Sequence, residues 1–144
     1  MLLRVELIGS SEARSAAAPE AVWARLIDGL RWSEWSPASD WMVVDETLET
    51  GAYVTIKRKR GRQTAYRIEQ ADPPRRLALL LTIGSVARLR IAWTLAPDAG
   101  GTSIRQTIES DGLLRRWLTD PLARKAARTL AEDPARLAVR AITA

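Results

Sequence analysis

Histidine and cysteine are both missing from the sequence. Any chemistry must therefore rest on carboxylates, hydroxyls, amides, indoles, lysines or arginines. Imidazole general bases, thiolate nucleophiles and the nitrogen and sulfur ligands of zinc are removed at once. A metal would need clustered carboxylates; no Asp-x-Asp-x-Asp loop occurs, and no cofactor or metal is expected. Paired carboxylates are the remaining acid-base device, with Asp40, Asp45 and Glu46 nearest an aromatic cluster. Strand alternation places Asp45 and Glu46 on opposite faces, so they cannot act as a pair. Asp111 and Asp120 flank a short helical stretch, where capping accounts for them.

Residues suited to binding are more plentiful. LRWSEWSPASDW, Leu30 to Trp41, puts Trp32, Trp35 and Trp41 close together in a chain with six tryptophans and no phenylalanine. They either plug the end of a core or line a pocket, and three large rings exceed what a short plug requires. Leu89, Ile91, Trp93 and Leu95 alternate with Arg88, Arg90 and Thr94, a strand with one apolar and one wet side. In the last strand Ile104, Gln106 and Ile108 share the apolar side. A glutamine between two buried isoleucines needs hydrogen-bond partners, from a ligand, trapped water or the protein, unless the register is read wrongly. Tyr66 alternates with Thr64 and Ile68; it either turns its hydroxyl into a cavity or is ordinary core. Trp23 lies on a helix face that packs as core.

The elements that must position these residues follow from period and breakers. Leu3, Val5 and Leu7 begin a strand running toward Arg14. Pro19 and Glu20 start a short helix with Val22, Trp23, Leu26 and Ile27 on one face, ended by Gly29. Leu30 to Pro37 allows one or two further turns. Strands are expected over Trp41–Leu48, Tyr53–Lys59, Thr64–Ala71, Leu77–Ile83, Val86–Ala96 and Thr102–Ser110, with hairpin-length breaks between them that predict an antiparallel meander. After Gly112 the period is helical again. Asp120 and Pro121 start a long helix with Leu122, Ala126, Leu130, Leu137 and Ala141 on one stripe, kinked at Pro134. The fold class is α+β: about seven curved antiparallel strands around a long C-terminal helix, with two short helices closing one end.

The chain has 144 residues, the size of one domain, 1–144. Its longest apolar run, Leu77 to Leu81, is too short to cross a bilayer. Arg4 and Glu6 break the N-terminal apolar stretch, so no signal peptide is expected and a cytoplasmic location follows. Net charge is +5, and Lys57 to Arg62 is a basic run. It interrupts alternation at a glycine, as a hairpin tip does, and no helix-turn-helix, zinc or aromatic-strand signature accompanies it. Nucleic acid is therefore not the expected partner.

Four stretches together carry a resemblance: Ala18-Pro19-Glu20-Ala21-Val22-Trp23, Trp32-Ser33-Glu34-Trp35-Ser36-Pro37, Asp72-Pro73-Pro74-Arg75-Arg76-Leu77, and Gly100-Gly101-Thr102. In this order the sequence resembles the START-like, or SRPBCC, superfamily, of the polyketide cyclase/dehydrase and lipid-transport type. The resemblance implies a helix-grip fold around a cavity that binds lipids, polyketides or similar apolar molecules. The expected ligand-binding residues are Trp32, Trp35, Trp41, Tyr66, Leu89, Ile91, Trp93, Gln106, Ile108 and Leu130. The alternatives are an aromatase/cyclase enzyme, with Tyr66, Gln106 or an inward arginine polarising carbonyls, and a protein-protein module using the basic hairpin on an acidic partner. Lack of histidine departs from any family chemistry that uses imidazole.

Overall fold

A computed structural model of the chain describes residues 6–36, 39–83 and 87–112. Seven strands form one antiparallel sheet: β1 (Glu6–Ser15), β2 (Ser39–Val44), β3 (Tyr53–Arg58), β4 (Gln63–Asp72), β5 (Arg76–Ile83), β6 (Ala87–Asp98) and β7 (Gly101–Gly112). Their order is β1-β7-β6-β5-β4-β3-β2. Strands β2 to β7 are thus the expected meander, and β1 closes on β7 at its far end. Expected and observed strands agree within a few residues, except that β2 stops at Val44 rather than Leu48. Asp45 leaves the strand, and its carboxylate accepts from the Thr55 hydroxyl at 3.3 Å. The helix expected over 113–143, with Leu130, lies outside the described residues.

Between β1 and β2 runs α1 (Pro19–Ile27), with Pro19 in its first turn and Val22, Trp23 and Leu26 buried. Proline suits that position because its missing N–H would have no helical partner. The next segment, Gly29–Glu34, supplies the expected further turns as a 3-10 helix. Three residues per turn bring positions 29, 32 and 35 into line. Gly29, Trp32 and Trp35 are the buried ones, while Leu30 between them is 75% exposed. A Cβ on Gly29 would strike the Met42 backbone carbonyl, so this turn can lie against β2 only without a side chain there.

A comparable contact joins β1 to β7. The Thr102 hydroxyl donates to the Ala17 carbonyl at 2.7 Å, and a Cβ on neighbouring Gly101 would strike the Ser15 carbonyl. Backbone cannot yield as a flexible side chain does. Gly101→Ala is therefore expected to destabilise the protein by about 1–3 kcal/mol, the usual range for overpacking, measured by urea unfolding.

The inner face of the sheet and the buried side of α1 make one apolar core, which includes Val54, Ile56, Tyr66, Ile68, Leu77, Leu79, Leu89, Ile91, Trp93 and Ile104. On the outer face Arg90 of β6 is gripped from both sides. It lies 2.7 Å from Glu69 of β4 and 3.1 Å from Glu109 of β7. Hydrogen bonding to Glu69 above all, then to Glu109, outweighs partial burial and raises the guanidinium above its ordinary range.

Candidate functional site

Alternation in β6 and β7 decides what faces inward. Leu89, Ile91, Trp93 and Leu95 are buried, as are Ile104, Gln106 and Ile108, and the register pairs Ile91 with Ile108 and Trp93 with Gln106. Tyr66 pairs with Val54 on the inner side of β4 and β3, and is buried there. The structure therefore brings Tyr66, Leu89, Ile91, Trp93, Gln106 and Ile108 to one face.

The end turn joins them through aromatic rings. Trp32 contacts Trp35 at 5.2 Å and Trp93 at 5.8 Å between centroids, both edge to face. Such geometry matches the positive edge of one ring to the negative face of the next. Trp32 donates its indole N–H to the Leu26 carbonyl at 2.8 Å, which ties the 3-10 turn to the end of α1. The indole nitrogens of Trp35 and Trp93 have no such partner.

Trp41 does not join this group. It pairs with Lys57, whereas its neighbours Met42 and Val44 pair with inward-facing Ile56 and Val54. Trp41 is thus carried to the outer side and is only half-buried. The irregularity in the β2–β3 register between Ser39 and Trp41 leaves Asp40 as the extra residue, and Asp40 pairs with Lys57 at 3.7 Å.

Gln106 is 1% exposed, and both its side-chain atoms lack a hydrogen-bond partner. Beside it on β1 stands Ser11, registered opposite Gln106, with its hydroxyl buried and unpartnered. Sequence reasoning missed Ser11. The available signal was Glu12 and Arg14: charged residues at alternate positions turn Ser11, Ala13 and Ser15 to the other face.

A depression of about 330 Å³ on the outer face, lined by Tyr53, Ala65, Arg67, Leu80, Thr82 and Arg88, shares no residue with this set. The basic run forms the β3–β4 hairpin, where Lys59, Arg60 and Arg62 are exposed. Among the described residues no group of His, Cys, Asp and Glu could hold a metal ion, and no helix is long and apolar enough to cross a membrane.

An inner wall of this composition, on a sheet of this order, is matched in sequence as well: the family model described as polyketide cyclase / dehydrase and lipid transport covers residues 9–141. The chain belongs to this family. Through it the chain falls in the START-like, or SRPBCC, superfamily. A START superfamily protein from Mycobacterium smegmatis superposes with a TM-score of 0.70 at 14% identity, over 94% of this chain and 97% of that one. A polyketide-cyclase-like protein from Corynebacterium glutamicum gives 0.63 at 21% identity, over 92% and 90%. DynU16, a protein of the dynemicin biosynthetic locus, gives 0.67 at 18% identity over 93% of this chain, which spans 46% of that one. At these identities the likeness establishes a shared fold. No curated protein matches the sequence.

Proposed function

We propose that the chain binds a hydrophobic small molecule against the inner face of the sheet, as one domain acting in the cytoplasm. Residues 113–143 would supply the helix that covers this face, with Leu130 toward the ligand. The observation that carries the reading is Gln106, a buried amide without a partner in a wall of isoleucine, leucine and tryptophan. Apolar walls with a few placed polar groups are the common form of small-molecule sites. A buried amide left without partners costs free energy that a bound ligand can restore.

The family also covers cyclases and dehydrases, whose chemistry needs a proton-transfer group against the substrate. Glu12, Glu69 and Glu109, on the strands of this wall or near them, pair instead with outward-facing Arg105 and Arg90. Among the described residues these carboxylates are thus turned away from the wall, which favours binding over carboxylate-based acid-base catalysis.

The test is titration of tryptophan emission with apolar compounds of graded size. Saturable change is expected. Trp93→Phe should weaken binding at least about threefold through lost contact area, while Arg60→Ser on the hairpin leaves it unchanged. Failure of every compound to bind would overturn the reading.

A further inference from the structure

Among the described residues, five buried side-chain polar atoms have no hydrogen-bond partner: Ser11 Oγ, Trp35 Nε1, Trp93 Nε1, and Nε2 and Oε1 of Gln106. Four of them belong to three residues in a single row. The register sets Ser11 on β1 opposite Gln106 on β7, and Gln106 opposite Trp93 on β6. Residues opposite one another across antiparallel strands hold their Cβ atoms about 4.5–5.5 Å apart, so the row extends about 10 Å across the sheet. Trp35 stands nearby, joined to Trp93 through Trp32. Side chains on a strand stand roughly perpendicular to the sheet, and the three members of the row do not bond one another. Their polar atoms are offered to whatever lies against the inner face.

We propose that Ser11, Gln106 and Trp93, with Trp35, form an oxygen-recognition row that selects a neutral apolar ligand carrying both a carbonyl and a hydroxyl. The proposal rests on the binding reading above and specifies which ligands that site takes. The indoles can only donate, the amide both donates and accepts, and the hydroxyl does either. Donors predominate, so a ligand carbonyl is required; Gln106 Oε1 is left to accept from a ligand hydroxyl. Charge argues against a carboxylate head group. Arg14, Arg88, Arg90 and Arg105, the described arginines of β1, β6 and β7, all register on the outer side. Among the described residues of these strands none offers a counter-charge to a carboxylate on the row, and burying one unpaired is costly.

Three probes on one ring frame test this: naphthalene, 2-acetyl-6-hydroxynaphthalene and 2-naphthoate, titrated calorimetrically into the full chain and followed by its indole N–H resonances. The acetyl-hydroxy compound is expected to bind at least about tenfold tighter than naphthalene, the equivalent of about one buried hydrogen bond, and tighter than naphthoate. It should move the Trp93 and Trp35 indole signals downfield and leave that of Trp32, already bonded to the Leu26 carbonyl, nearly in place. In Gln106→Met the preference for the acetyl-hydroxy compound over naphthalene should shrink. Equal affinities in the parent protein, or an undiminished preference in Gln106→Met, would overturn the row and leave the binding reading standing. No binding by any of the three would overturn both.

Discussion

Gln106→Met is expected to unfold at higher urea than the parent protein, with a stability gain of about 1–3 kcal/mol. The substitution removes a buried amide whose donor and acceptor both lack partners, and an unpartnered buried group costs about that much. Methionine is close in length and adapts to irregular surroundings, so little packing is lost against Ile104, Ile108 and Trp93. In a chain of this size each kcal/mol raises the melting midpoint by about 3 °C. A residue that improves stability when removed is retained for another reason, and the parallel loss of preference for oxygenated probes would identify it. A lowered midpoint would show that the amide has partners in the unliganded protein, and the row would then be structural.

The largest loss is expected from Trp32→Ala, about 3–5 kcal/mol. Trp32 is buried, meets two other indoles, and holds the Leu26 carbonyl with its N–H. Truncation opens a cavity where the end turn meets the sheet and also leaves that carbonyl without its donor. Trp32→Phe should recover most of the loss, because ring area persists while the hydrogen bond does not. Comparing both variants by urea unfolding separates packing from the bond. Equal losses would assign the effect to the hydrogen bond instead.

The strands were legible because charged and apolar residues alternate so regularly. In β6 the arginines at 88 and 90 fix the outer face, and the leucine, isoleucine and tryptophan between them fix the inner. Family resemblance was legible for a related reason. Pro19 and Gly101, both in stretches that carry it, stand where the backbone tolerates little else, at a helix start and at a close approach. The end turn was legible as helical but its type was not, because a spacing of three suits both helix types, and only the burial of Gly29 with Trp32 and Trp35 separates them. Trp41 was grouped with its sequence neighbours, although the strand beginning at Ser39 carries it to the opposite face. Ser11 could not stand out locally. Small residues give β1 little hydrophobic contrast, and the partner that gives Ser11 its meaning is at the other end of the described chain.

That distance bears on the order in which the molecule assembles. Each pairing from β2 to β7 joins strands adjacent in sequence, so those contacts form at low loop-closure cost. Closing β1 onto β7 spans nearly the whole described chain, and the entropy of closing a loop rises with its length. The β6–β7 hairpin can therefore present Trp93 and Gln106 before β1 arrives with Ser11. Recognition by all three residues becomes available only once the longest loop among the described strands has closed, and a ligand held by Ser11 and Gln106 together fastens the first described strand to the last.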